Sequence, residues 1–214
     1  RGAAAATHLG LPHVTLHWSG DKPKAGLPEA ARDARYRLLV AHAIASHASH
    51  IVTAHTLDDQ AETLLMRMAA GSGPAGLAGM GATVRRGGLI HWRPLLTVSK
   101  ARLVASCREL ELGFVTDPTN QSKFHARSRW RQVMPQLEGE GLTTARLASL
   151  AARQARANAA LMSPAPFVER LVHFWANHFA ISIDKLPVIG MGGLLEVEAI
   201  RPHVLGRFGD MLLA

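Results

Sequence analysis

His50-Ile51-Val52-Thr53-Ala54-His55-Thr56-Leu57-Asp58-Asp59-Gln60-Ala61-Glu62-Thr63 is the stretch on which the fold turns. Its first five residues form an apolar, β-branched run that reads as a short buried strand. From Leu57 the apolar period becomes helical, so a parallel strand hands over to a helix at this point. In open α/β sheets that edge is where ligands bind. At about 100° per residue, Ala61, Leu64, Leu65 and Met68 share one helix face, which is expected to pack on the sheet. Asp58, Asp59 and Glu62 fall within an arc of roughly 100° on the adjoining face. Converging carboxylates invite a cation or an amine. Acidic residues in a first helical turn also cap free N–H groups and complement the helix dipole, which accounts well for Asp58 and less well for Glu62. On the residues alone, site and cap both remain open.

Working outward, His13 to Trp18 alternates weakly after Leu9-Gly10-Leu11-Pro12 and is expected to be a strand. Glu29 to about Ala48 has helical spacing through Leu38, Leu39 and Ile44. The resulting βαβα order predicts a parallel sheet with helices on its faces. Gly71-Ser72-Gly73-Pro74-Ala75-Gly76-Leu77-Ala78-Gly79 is too glycine-rich to continue a helix. It is either a flexible linker, the favoured reading, or a loop that offers backbone N–H groups to an anion. Thr83-Val84 and Leu89 to Trp92 flank Arg85-Arg86-Gly87-Gly88 as a hairpin. Ser99 caps a helix through Leu112 that carries Leu103, Val104, Cys107 and Leu110 on one face. Asp117-Pro118-Thr119-Asn120 is a turn signature. Beyond it, Phe124 to Arg131 carries basic residues at helical spacing, with Arg127 and Arg131 on one face. Leu142 to Phe179 reads as an alanine- and arginine-rich helical appendage broken at Ser163-Pro164-Ala165-Pro166, and residues 181–214 carry no chemistry that can be read.

The 214 residues carry a formal net charge of +8 and a pI near 10.7. Arg85, Arg86, Arg127, Arg129, Arg131, Arg153 and Arg156 supply much of it. Arginine suits bidentate phosphate contact, so the balance favours nucleic acid over a merely solvated surface. The single Cys107 excludes a disulfide scaffold and is expected to be an apolar core residue of a reducing compartment. No run approaches the roughly twenty apolar residues of a membrane span, and the first residues lack the apolar core of a signal peptide. The expected location is the cytoplasm. His42, His47 and His50 do not share one edge, so no metal site is expected.

Taken in order, residues 53–63, Gly71-Ser72-Gly73 with Gly76-Leu77, Arg93-Pro94-Leu95-Leu96, Asp117-Pro118-Thr119-Asn120, and Arg127 with Arg131 before Pro135 resemble the tRNA(Ile)-lysidine synthase family. The likeness runs from about residue 7 to 137, including the approach Ala31-Arg32-Asp33-Ala34-Arg35-Tyr36. It implies an α/β fold of the Rossmann-like, adenine nucleotide alpha hydrolase-like kind. Residues 1–137 would form the PP-loop ATPase-like domain without its N-terminal part, and 138–214 a mainly helical region. The implied reaction is ATP-dependent carbon–nitrogen ligation. ATP adenylates C2 of the wobble cytidine of an isoleucine tRNA, and the L-lysine ε-amine displaces AMP to form lysidine.

The resemblance assigns roles as well. Asp59 and Glu62 would hold the lysine ammonium, and one of them, or His55, would accept the proton lost before attack. Arg127 would stand near the reacting centre and stabilise the phosphate leaving group. Asp58, Gln60, Gly71, Ser72, Gly73, Arg129 and Arg131 would contact nucleotide or tRNA. ATP with Mg2+, isoleucine tRNA and L-lysine are the implied partners, no membrane is involved, and a homo-oligomer is compatible. The sequence departs from the family at Thr56 (usually histidine), Ala70 (usually arginine) and Ser128 (usually asparagine). The family's Ser-Gly-Gly-x-Asp-Ser loop does not occur in these residues. The expectation is a chain that starts inside the domain, inactive by itself. A tRNA-binding relative without the ATP site, or another PP-loop tRNA-modifying enzyme such as a tRNA thiolase, is the alternative.

Overall fold

The computed structural model describes residues 2–23, 25–114, 126–179 and 199–213. The expected turn Asp117 to Asn120, together with Phe124 and His125, lies outside the described residues, as does most of the segment beginning at Ile181. The chain divides into two compact units, Arg1–Arg153 and Gln154–Ala214.

In the first unit, α1 (Gly2–His8) precedes α2 (Leu27–Ala45), then β1 (His50–Val52) and α3 (Leu57–Ala69). A single turn, α4 (Pro74–Leu77), leads into β2 (Thr83–Arg86) and β3 (Leu89–Trp92), followed by α5 (Lys100–Glu109), α6 (Ala126–Gly139) and the start of α7 (Thr144–Met162). The three strands form a mixed sheet in the order β1-β3-β2. β1 pairs with β3 in parallel, Ile51 opposite His91, and β2 pairs with β3 as the expected antiparallel hairpin. The parallel sheet predicted from the βαβα order therefore holds for one pairing only. His13 to Trp18 forms no strand and is mostly exposed. With no paired neighbour, a weakly alternating run gains no ladder hydrogen bonds to hold it extended.

Alternation along the strands sets what each face meets. Ile51 and Leu89 point toward α2 and pack with Ala43, Leu39 and Val40. Val52 and Trp92 are exposed at 58% and 47%, so β1 is buried on one side, where a strand buried on both was expected. The apolar face of α3 also differs from expectation. Ala61, Leu64 and Leu65 are buried, but against Leu147 and Ala151 of α7 and Trp130, Met134 and Leu137 of α6. Met68 stays half-exposed. Helical spacing shows which residues share a face and does not say whether a sheet or another helix receives it.

The glycine-rich run is not a flexible linker. Arg67 Nη1 donates to the carbonyls of Gly76 (2.5 Å) and Gly79 (2.8 Å), and α4 forms within it. Gln60 is buried and clamps the loop's end. Its Nε2 donates to the Met80 carbonyl at 2.9 Å, and the Met80 N–H donates to its Oε1 at 2.7 Å. Gly79 sits at φ +66°, where a Cβ would lie 2.9 Å from the Gln60 amide and 3.0 Å from Ala151.

In the second unit, the end of α7 is followed by α8 (Pro166–His178), α9 (Arg201–His203) and α10 (Phe208–Leu213), with the break between α7 and α8 at the predicted prolines. Val172, Ile200 and Met211 form its core. Trp175 packs against Phe179 and Phe208, with ring centroids 5.4 and 5.1 Å apart.

Gly79→Ala combines left-handed backbone strain with a steric clash and is expected to lower stability by about 1–3 kcal/mol. Gly88→Ala, at φ +80° with open space around it, should cost less. Denaturant midpoints of the two variants, at unchanged slope, check the difference.

Candidate active site

The end of β1 is tied down before α3 begins. The Thr53 N–H donates to the Trp92 carbonyl at 3.0 Å, and the Leu57 N–H to the Val98 carbonyl at 3.0 Å. Thr56 then caps α3. Its Oγ1 accepts from the Asp59 N–H at 3.3 Å, while Asp59 Oδ2 accepts from both the Thr56 N–H and its hydroxyl at 2.9 Å. This reciprocal box satisfies helix-end donors and gives Thr56 a structural role. Asp58 caps a different helix. Its Oδ2 accepts from the Lys100 N–H at 2.7 Å, at the positive end of α5, whose own N-cap is Ser99.

Asp59, Glu62 and Thr63 face α6. Arg127 Nη1 donates to Asp59 Oδ1 at 3.2 Å and Nη2 to Thr63 Oγ1 at 3.4 Å. Arg131 grips Glu62 with both nitrogens of its fork, Nε to Oε1 at 2.5 Å and Nη2 to Oε2 at 3.3 Å, and its Nη2 lies 3.8 Å from Asp59. Asp59 and Glu62 therefore converge on a cation, and that cation belongs to the protein. Glu62 is 2% exposed. Burial pushes its carboxyl above the ordinary glutamate range, opposed by Arg131, and the hydrogen bond that Arg131 donates to Glu62 raises Arg131 in turn.

His55 belongs to a second network. Its Nδ1 lies 2.8 Å from Thr53 Oγ1, which lies 2.8 Å from Nε2 of the fully buried His91. His91 Nδ1 lies 3.2 Å from Arg93 Nη2, and Arg93 Nη1 donates to the Gly81 carbonyl at 2.6 Å. Tyr36 packs on His91 with centroids 5.3 Å apart and carries the Arg86 guanidinium 4.0 Å from its ring. Burial, reinforced by Arg93 and Arg86, lowers His91 to about 4. His55 is lowered too, by burial first, with Asp59 opposing and Arg93, Arg127 and Arg32 adding to the fall.

A cavity of about 260 Å3 opens beside the acidic edge, lined by Asp58, Glu62, Glu138, Lys100 and Arg131 among others. His55, Asp58, Asp59, Glu62, Arg127 and Arg131 are thus brought together. Gly71, Ser72 and Gly73 are not, because they follow the other end of α3, on the order of 15–20 Å along its axis from Asp59. Gln60 turns away to Met80, and Arg129 is exposed on α6. Sequence reasoning missed Thr53, His91 and Arg67 as determinants of this region. The available signal was Leu89, His91 and Arg93 at alternate positions, which puts two polar side chains on the core face of a strand. Among the described residues no group of three or more His, Cys, Asp or Glu side chains could hold a metal ion, and no helix is long and apolar enough to cross a membrane.

A family model described as a PP-loop domain matches residues 3–137. The chain belongs to the PP-loop domain family. It is also similar to proteins called tRNA(Ile)-lysidine synthase. The one from Bradyrhizobium diazoefficiens is 56% identical over 156 residues, 73% of this chain and 43% of the relative. Those from Methylobacterium sp. strain 4-46 and Methylobacterium nodulans are 57% and 55% identical, covering 93% and 96% of this chain and 57% and 59% of the relatives. The chain spans about half the length of the curated relatives it matches. These relatives agree with the family read from the order of motifs.

A buried histidine whose folded pKa lies below its unfolded value stabilises the fold above the unfolded pKa, and that stability is lost as pH falls through the folded value. For His91 the window runs from about 6.5 down to about 4, with a loss of up to about 3 kcal/mol. Urea unfolding at several pH values should show a steeper decline across this window in the wild type than in His91→Gln.

Proposed function

We propose that the intact protein is a tRNA(Ile)-lysidine synthase, which uses ATP to activate C2 of the wobble cytidine in isoleucine tRNA and joins the lysine ε-amine to it with release of AMP. Identity of 55–57% to relatives of that name over most of this chain carries the reading, together with the intact acidic cluster at a strand-to-helix edge. In this reading the mixed sheet is part of a Rossmann-like, adenine nucleotide alpha hydrolase-like sheet. Residues 1–137 form the PP-loop domain and 138–214 a mainly helical region.

Lysine brings an ammonium and an α-carboxylate. The cavity offers anions at Asp58, Glu62 and Glu138 and cations at Lys100 and Arg131, a mixture suited to an amino acid. Of the two carboxylates assigned to the amine, Glu62 lines the cavity, oriented by Arg131, and Asp59, 19% exposed at its side chain, stands one helical turn away, held by Arg127. Arg127, shared between Asp59 and Thr63, can turn toward a phosphate when negative charge develops there. Exposed Arg129, Arg153 and Arg156 suit contact with tRNA phosphates. Mg2+ would accompany ATP in this chemistry, held mainly by the phosphates and water.

In the intact protein, Asp59→Asn and Glu62→Gln should each reduce lysidine formation by about 100-fold or more while tRNA still binds. Incorporation of labelled lysine into isoleucine tRNA, with filter binding as control, measures both. Normal incorporation by both variants overturns the assigned roles, and salt-sensitive tRNA binding with no ATP turnover in the wild type favours a non-catalytic relative.

A further inference from the structure

We infer that Arg93, His91 and Thr53 act as positioning residues that fix the tautomer of His55, leaving Nδ1 as an acceptor and the proton on Nε2, so that His55 serves the site as a hydrogen-bond donor and not as its base. The inference rests on the function proposed above and concerns a role within that same site.

The direction of the chain follows from what each group can do. A guanidinium has donors only, so the contact of Arg93 Nη2 with His91 Nδ1 at 3.2 Å requires a bare, accepting Nδ1. The neutral His91 ring then carries its proton on Nε2 and donates to Thr53 Oγ1, 2.8 Å away. The Thr53 hydroxyl has one proton of its own, and His55 Nδ1 at 2.8 Å is the acceptor in reach. Donation there gives each of the three contacts one donor and one acceptor, whereas a proton on His55 Nδ1 would aim two donors at Thr53 and leave its hydroxyl proton with no partner among the described residues. An unmade hydrogen bond in a half-buried network is the costlier arrangement. Both histidines are held below their ordinary pKa values, so the neutral forms that this logic requires are the ones present near pH 7.

His55 Nε2 makes no hydrogen bond among the described residues, and the ring stands where β1 gives way to α3, near Asp59. Nε2–H suits an anionic oxygen such as a phosphoryl oxygen. No proton is transferred in this role. Arg93 is 5% exposed and donates to the Gly81 carbonyl, which anchors the far end of the chain.

Long-range 1H–15N NMR of the intact, 15N-histidine-labelled protein near pH 7.5 tests this, with resonances assigned through His55→Gln and His91→Gln. The expected spectrum has protonated Nε2 and bare Nδ1 in both rings. Thr53→Val, which keeps the shape and removes the hydroxyl, should abolish the single tautomer of His55 and lower kcat for lysidine formation about tenfold with KM for lysine and ATP little changed. Thr53→Ser should restore both. A proton on His55 Nδ1, or a Thr53→Val variant with unchanged tautomer and rate, overturns the inference. If the wild type makes no lysidine, the proposed function fails while the spectrum still decides the tautomer.

Discussion

The contact between two arginines of α6 and two carboxylates of α3 is the interaction on which the rest of this region depends. Glu62 is buried, and a buried carboxylate without a partner would protonate or unfold its surroundings. Arg131 meets it with the planar fork that matches a carboxylate, and Arg127 meets Asp59 and Thr63 one turn away. Beside these pairs, Ala61, Leu64 and Leu65 close against Trp130, Met134 and Leu137. The apolar seam supplies most of the attraction between the helices, and the ion pairs fix how they are aligned.

That alignment has a consequence for chemistry. Asp59 is held from three directions, by the Thr56 N–H and hydroxyl and by Arg127, and Glu62 from two nitrogens of one side chain. A ligand amine therefore meets carboxylates whose orientation is already set, and has to compete with guanidinia for their oxygens. Preset orientation lowers the cost of organising the site at the moment of reaction. Competition also keeps the cluster from binding any passing cation tightly. Behind the carboxylates, the buried chain from Arg93 to His55 sets a second polar group at the same strand end, and the two networks approach each other near Asp59.

Much of this was legible in the sequence. Residues 50–63 placed a strand, a helix start and an acidic face in order, and the four-residue spacing of Arg127 and Arg131 placed them on one face. That the two faces meet was not legible, because periodicity reports which side chains share a direction and not which element lies opposite. The same limit explains why α3 was assigned to the sheet and why one face of β1 was expected to be covered. Thr56, a departure from the family pattern, turns out to be the residue that caps α3. His91 looked like one histidine among twelve, and only its position between Leu89 and Arg93 on β3 hinted at a buried role. The glycine-rich run 71–79 read as a linker because the Arg67 side chain that holds it at Gly76 and Gly79 lies several residues earlier, on α3.

The most direct test of the central claim is a double-mutant cycle of Glu62→Gln and Arg131→Met, read by urea unfolding of the intact protein. The α3–α6 account predicts a favourable coupling of about 1–3 kcal/mol, with Arg131→Met alone the most destabilised of the set because it leaves Glu62 buried and unpaired. A coupling near zero, with Glu62→Gln costing the same whether or not Arg131 is present, would contradict it.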